Sequence, residues 1–519
     1  MEQRRLEIDF VGHACLKVTH GDTKLLMDPW IDGPAYTEQW YHYPLPDRSV
    51  PLDDVQYVQY THGHEDHLHE PSFHLLPKQA TVLLTKQWFA GNREWLLDEG
   101  FEDVVEMTSG RWMSLGDDLS MVSLVNRSDS LSVLRTSDEV LVNANDALHC
   151  YDDGCIDFYC QRIQSLAEDR PIDYLFCGFG GASYFPNCRR HPEKDDHAVA
   201  VAREAHFAKG FARVVQNLKP RMAFAFAAGL VLLEPFNQWI NEVKFANDPV
   251  AVAKEALPEM EGRLFKLRPG DRVADGELIR GAASVPADPV ADYRSVYADE
   301  IRTKEERPRL EPERADEVLR AVETNFRERL ERIRTSKPEF DWAVRLRDRP
   351  EAILRLTRTD GDLTAAMLPP DELDEVRDRV VEANSDILLA GVGSLWGGDS
   401  LQIGYGGLFE LRSDASIDKN HSKQFLKLAT KLPLQSDYLL MSPIRGISHL
   451  MHSPYLARQA ARMVLRRPNS AITESAGKKD IMEARYWIEA PPCEGCPICD
   501  VSPHEDLIRE DLASHVDGP

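Results

Sequence analysis

Thr61-His62-Gly63-His64-Glu65-Asp66-His67-Leu68-His69 is the stretch on which the reading of this chain turns. Imidazoles at alternate positions, His62 and His64, can point from one loop toward one metal ion, while Asp66 and His67 project toward a second position beside it. A loop of this kind can hold two ions roughly 3.5–4 Å apart, the separation used in two-metal chemistry. It begins where Val55-Gln56-Tyr57-Val58-Gln59-Tyr60, rich in β-formers, ends. A solvent-exposed His-rich loop is the plain alternative, but it would need neither this spacing nor a strand leading into it.

Outward from the loop, the first 280 residues alternate short strands with a few helices. Leu6 to Phe10 leads through a Gly turn into a second strand, and Thr23 to Met27 ends at Asp28-Pro29. Leu131–Leu134 and Val140–Asn143 read as a hairpin ending at Asp146, Val199 to Leu218 has helical spacing, and Met222 to Leu233 reads as a buried strand with a turn. This alternation predicts a layered α/β domain over 1–280 that carries a dinuclear metal site. Residues 281–349 are charged and punctuated by Pro308, Pro312 and Pro338, and Leu319, Val322, Phe326, Leu330 and Ile333 form one helix face of a linker. A smaller α+β domain is expected over 350–475, with Leu373, Val376 and Val380 on a helix, Ser400 to Tyr405 as a strand and Tyr455 to Leu465 as another helix. Residues 476–519 form a polar tail.

The net charge of −25 over 519 residues argues against a protein that tracks nucleic-acid phosphates. The longest apolar run, Met222 to Leu233, is well short of the roughly 20 residues a bilayer span needs. No apolar signal region follows Met1, so a soluble, cytoplasmic protein without membrane contact is expected. Nine cysteines, an odd number, do not read as a disulfide framework. Six are dispersed and expected to be small buried hydrophobes. Cys493, Cys496 and Cys499 recur at Cys-x-x-Cys-x-x-Cys spacing on a Gly/Pro turn and form a candidate second metal site, for zinc or part of an iron–sulfur centre, with His504 or a partner chain completing it. His69, His74 and His149 lie near the metal motif in sequence; for His149 a surface loop position is favoured over a ligand role.

The His-x-His-x-Asp-His motif resembles the metallo-β-lactamase superfamily, as do Gly12-His13-Ala14-Cys15-Leu16 and Leu25-Leu26-Met27-Asp28-Pro29-Trp30. The resemblance implies an αββα sandwich, followed here by the helical linker and the small α+β domain. It also implies a bridging Asp at the end of a later strand, a position that Asp146 matches. Asp66 and Asp146 are then the candidate catalytic residues. A finer resemblance is to the metallo-β-lactamase-like part of the CMP-N-acetylneuraminate hydroxylase family, iron-dependent oxygenases. It is carried by Met27–Ala35, by Gly180-Gly181-Ala182-Ser183-Tyr184-Phe185-Pro186, by Asn217–Arg221, by Leu267–Asp271 and by Leu401–Tyr405, in the family's order. The family's Rieske domain has no counterpart ahead of these strands, which implies a separate ferredoxin- or Rieske-type electron donor. The superfamily's third ligand motif is replaced by Val125-Asn126-Arg127-Ser128-Asp129, where Asn126 or Asp129 would substitute, and Glu234 is the nearest candidate for the last ligand.

Such carboxylate replacements harden the donor set and suit iron or manganese better than zinc. The expected ligands are thus His62, His64, Asp66, His67, Asp146, Asp129 and Glu234, around two iron ions or, alternatively, two zinc ions. The activity that the resemblance implies is that of an O2-dependent hydroxylase or N-oxygenase acting on a polar, nucleotide-linked small molecule. The alternative is a dinuclear zinc hydrolase of an ester, lactone or phosphodiester. A non-catalytic scaffold is disfavoured by the completeness of the first motif.

Overall fold

Alternating apolar residues at the start of the chain fold it into a hairpin in which Glu7–Gly12 pairs antiparallel with Cys15–His20, Ile8 opposite Val18. In the computed structural model the described residues are 5–85, 92–126, 129–151, 153–180, 186–190, 195–282, 286–332, 339–393, 397–412 and 428–430. Among them, the opening hairpin belongs to an eight-stranded sheet in the order Glu277–Ile279, Arg272–Ala274, Glu7–Gly12, Cys15–His20, Thr23–Met27, Tyr57–Tyr60, Thr81–Thr85, Asp103–Met107. A seven-stranded sheet runs Leu264–Lys266, Met222–Phe226, Tyr174–Gly178, Val140–Asn145, Asp129–Arg135, Leu119–Asn126, Met113–Gly116.

The period-2 alternation of side chains fixes how these sheets stack. Phe10, Leu25, Met27 and Leu83 of the first sheet meet Leu134, Leu141, Phe176 and Phe224 of the second in a shared core. The intervening residues point the other way. Val11, Leu26, Val82 and Leu84 pack under Phe73 and Leu96, from the short helices Glu70–Leu75 and Asn92–Asp98. Val133, Val140, Val142, Leu175 and Cys177 pack under Asp153–Leu166 and Asp196–Leu218. The result is a helix–sheet–sheet–helix sandwich, the αββα architecture. The long helix is delimited as sequence dictates: Asp195 accepts from the backbone of His197 and Ala198 at its start, and Lys219 ends it in the left-handed conformation. No described helix is long and apolar enough to cross a membrane.

A second unit follows. Its six-stranded sheet runs Arg189–Arg190, Gly407–Leu411, Arg379–Ala383, Phe340–Leu346, Ile353–Thr359, Asp362–Met367. The helix Pro312–Arg332 lays Leu319, Val322, Phe326 and Leu330 against Trp342, Val344, Leu354 and Leu356 of that sheet. Full burial of each such side chain is worth about 1.5–3 kcal/mol. Ile333 lies outside the described residues, as does Tyr455–Leu465.

Several expectations need correction here. Phe340–Leu346 falls in the expected linker but pairs on both sides inside the sheet, so the unit begins before residue 350. Leu373 sits in a 3-10 turn, Pro370–Glu375, and Val380 in the strand Arg379–Ala383, because two consecutive prolines and the pairing with Phe340–Leu346 override the three-to-four spacing. The expected strand at Ser400–Tyr405 instead ends the helix Gly398–Gln402. Met222–Leu233 divides into two strands, Met222–Phe226 and Leu230–Leu232, in different sheets.

Candidate metal centre

The edge at which strands of both sheets end gathers the chemistry-bearing side chains. The Tyr57–Tyr60 strand runs into the His62–His67 loop, which is closed by backbone hydrogen bonds from His67 and Leu68 to His64 O at 3.0 and 2.8 Å. Asp146 follows Val140–Asn145, Asp129 opens Asp129–Arg135, and His13 occupies the turn between the first two strands. Three sets of donor atoms result, each lying within 4.8 Å of one another: His62, His64 and Asp129; His62, His67 and Asp146; His13, Asp66 and His67.

The sets are consecutive because His62 and His67 are each shared. His62 Nε2 and His64 Nδ1 face each other at 2.8 Å. His67 Nε2 lies 3.4 Å from both Asp66 Oδ2 and Asp146 Oδ2, with no well-formed hydrogen bond to either. His13 Nε2 meets Asp66 Oδ2 at 3.1 Å. Asp146 thus stands between the other two sets. Imidazoles and carboxylates this closely apposed form a cluster that could bind metal.

Electrostatics prepares the donors. Burial, with His67 and His64 nearby, holds His62 down at about 3, so it is neutral at pH 7. Burial pushes Asp66 and Asp146 up, but His67 with its neighbouring imidazoles outweighs it, and both carboxyls fall well below the usual range. Burial alone would lower His67; Asp66 and Asp28 instead raise it well above an ordinary histidine. Glu65, in the same loop, is pushed by burial up to about 7.

A supporting layer holds the donors in place. Asp28 accepts from Thr61 N and Oγ1, both at 2.8 Å, and from Asn145 Nδ2 at 2.7 Å, and its Oδ2 lies 3.2 Å from His67 Nδ1. Tyr151 Oη donates to Asp129 Oδ2 at 2.9 Å. Trp30, fully buried, sits among the rings of His13, His42 and His69. Tyr36 Oη donates to Asp66 Oδ1 at 2.5 Å. Tyr36, Thr37 and Glu38 all have positive φ, 57°, 55° and 59°. The left-handed region costs a non-glycine residue roughly 1–2 kcal/mol, and it is normally visited one residue at a time.

His62, His64, Asp66, His67, Asp146 and Asp129 are therefore brought together. Glu234 is not, and that expectation is corrected: it is buried but ion-paired to Lys304 Nζ at 2.9 Å and Arg307 at 3.2 Å. Asn126 is also set aside, its amide donating to Ala147 O at 2.6 Å. His149, expected at the surface, is buried against Phe207. His69 is tied to Ser72 Oγ and Pro34 O, and His74 is exposed. Cys15, Cys150, Cys155, Cys160, Cys177 and Cys188 are buried as thiols rather than joined in disulfides. Cys493, Cys496 and Cys499 lie outside the described residues, as do positions 181–185 of the Gly-Gly-Ala stretch. Sequence reasoning missed His13 and Tyr36. The signal for His13 was a Gly-His turn between two strands; Tyr36 left none.

Comparison with known proteins agrees first on the class. Residues 7–97 match the Beta-lactamase superfamily domain, which includes the opening hairpin and the whole His62–His67 loop. The metallo-β-lactamase superfamily resemblance therefore stands. The finer resemblance stands too: the chain is 23% identical over 272 residues to cytidine monophosphate-N-acetylneuraminic acid hydroxylase of Danio rerio, covering 48% of this chain and 42% of that protein. The chain spans about half the length of the curated relatives it matches. Among solved structures, CmlA, a diiron beta-hydroxylase from Streptomyces venezuelae, aligns at TM-score 0.37 and 17% identity over 54% of each chain. A possible metal-dependent hydrolase from Veillonella parvula aligns at TM-score 0.36 and 12% identity, over 52% of this chain and 99% of its own.

Proposed function

We propose that this chain is an O2-dependent di-iron oxygenase, a hydroxylase or N-oxygenase, that takes electrons from a separate ferredoxin- or Rieske-type donor. Its substrate would be a polar small molecule of the nucleotide-linked kind named for the hydroxylase relatives. The observation that carries this reading is the donor set itself: three aspartates, Asp66, Asp129 and Asp146, interleaved with His13, His62, His64 and His67. Carboxylates in this proportion suit a hard, redox-active ion.

His62, His64 and Asp129 would hold one iron, His13, Asp66 and His67 the other, with Asp146 between them. Bound iron would supply O2 activation, which no side chain of the chain can provide. The protein's own part is positional and electrostatic. Tyr36 engages Asp66 Oδ1 and leaves Oδ2 to face His13 and His67. Asp28 and Asn145 fix the base of the loop, and ligand carboxyls held low remain ionised at neutral pH. Trp30 and the buried histidine rings beside it line the site with a water-excluding wall.

A dinuclear zinc hydrolase of an ester, lactone or phosphodiester is the second reading, favoured by the four imidazoles in the same sets. The deciding experiment is elemental analysis of protein expressed with iron and zinc both available, paired with a visible spectrum. About two irons per chain with charge-transfer absorption is the expected result. Two zincs and a colourless protein would overturn the oxygenase in favour of the hydrolase.

A further inference from the structure

The left-handed turn at Tyr36–Glu38 is fastened on every side, and most of its fastenings come from the second unit or the segment leading to it. Ala35 and Trp40 close its base, with Ala35 N to Trp40 O at 2.9 Å and Trp40 N to Ala35 O at 3.1 Å. Thr37 Oγ1 meets Ser400 Oγ at 2.8 Å, from the helix Gly398–Gln402. Thr37 O accepts from Gln39 Nε2 at 3.1 Å, and Glu38 O from Lys304 Nζ at 2.9 Å. Lys304 is itself oriented by Glu234. Tyr405 packs on Trp40, whose ring lies edge-on to Tyr36. At Gly404 an added Cβ would lie 2.5 Å from Tyr36 Cβ, so only glycine lets the second unit come this close. Three consecutive residues persist in a disfavoured conformation only where their surroundings over-determine it. What this strain delivers is one buried hydroxyl, held 2.5 Å from Asp66 Oδ1.

We propose that Tyr36 is a positioning residue, and that the second unit sets the placement of Asp66 through the left-handed turn that carries Tyr36. The inference rests on the dinuclear metal reading. Within that reading the second unit serves the metal centre without reaching it. Its Ser400 and Gly404 meet Thr37 and Tyr36, and so hold the turn whose hydroxyl fixes which way the Asp66 carboxylate faces. Glu234 also finds its place, two contacts behind the turn through Lys304.

The test is a titration of the metal-free full-length protein with Co2+, following visible ligand-field absorption, on wild type, Tyr36→Phe, Ser400→Ala and the double variant. Wild type is expected to bind two ions. Tyr36→Phe should weaken one of the two by about 10–100-fold, the usual effect of losing a partner behind a ligand. The other should bind normally, and the thermal midpoint of the metal-free protein should stay within a few degrees of wild type. Ser400→Ala should weaken the same ion to a smaller extent, and the double variant should bind it no worse than Tyr36→Phe alone. Two ions bound with unchanged affinity in Tyr36→Phe would overturn the proposal and leave the metal centre standing. Equal weakening of both ions together with a lowered midpoint would reduce Tyr36 to a packing residue and overturn it equally. Failure of wild type to bind Co2+ would overturn both readings.

Discussion

Asp129 and Glu234 are both enclosed carboxylates, at 0% and 2% exposure, in opposite surroundings. Asp129 shares a ligand set with the imidazoles of His62 and His64 and accepts from Tyr151. Glu234 faces Lys304 and Arg307 and is neutralised by the protein itself. A carboxylate taken out of water needs a compensating charge, and where that charge comes from decides its role. For Asp129 the proposed ion, shared with two histidines, would supply it. For Glu234 two side chains from residues 298–311 already have, and no room is left for a ligand role.

The sharpest way to break this contrast is at the loop. His62→Ala and Asp66→Ala should each abolish binding of at least one ion per chain, read as metal stoichiometry after gel filtration; unchanged stoichiometry in both would remove the site assignment. Phe326→Ala, in the core under the second unit's sheet, should cost about 3–5 kcal/mol in denaturant unfolding, with the ion at His62, His64 and Asp129 still bound. Glu234→Gln and Asp129→Asn then form a matched pair. The first should lower the thermal midpoint, because Lys304 loses its counter-charge, while leaving the ion held by His62 and His64 in place. The second should weaken that ion by about tenfold or more. If the two variants exchange outcomes, the assignments of the two carboxylates are reversed.

A smaller effect concerns Asp399, on the helix that touches the turn. Burial, with Glu65 nearby, pushes its carboxyl up to about 7. A raised carboxyl favours the fold fully below the unfolded value near 3.8, and that contribution is lost as pH rises through about 7. Asp399→Asn should therefore raise the thermal midpoint by a few degrees at pH 8 and change it little at pH 4. No gain at pH 8 would mean that Asp399 is better solvated than its surroundings imply.

The carboxylate pair also marks how far sequence reading reaches. The loop was legible because its four donors lie within six residues, and Asp146 only because the superfamily resemblance singles out a carboxylate where a later strand ends. The helix Pro312–Arg332 was legible because an apolar stripe at three- and four-residue steps fits a helix face and little else. Asp129 and Glu234 were equal as substitutes because the charges that separate them, Lys304 and Arg307, are distant in sequence. Short segments failed for a related reason. Leu373, Val376 and Val380 fit a helix step, yet pairing with Phe340–Leu346 makes a strand of the last of them. Tyr36 was invisible because its role depends on a backbone conformation that no residue type there announces.

One small pairing has a consequence for how the chain is made. Arg189–Arg190, which lies in sequence between the sandwich's outer helices, runs parallel to Gly407–Leu411, and Phe409 N donates to Cys188 O at 2.6 Å. A ribosome delivers the sandwich long before residues 407–411 leave the exit tunnel, so this edge of the nascent protein must wait for its partner. Contacts so distant along the chain close slowly. The second unit is thus a late-arriving clasp, and translation pausing near residue 400 would leave the turn at Tyr36 without the contacts of Ser400 and Gly404 for that interval.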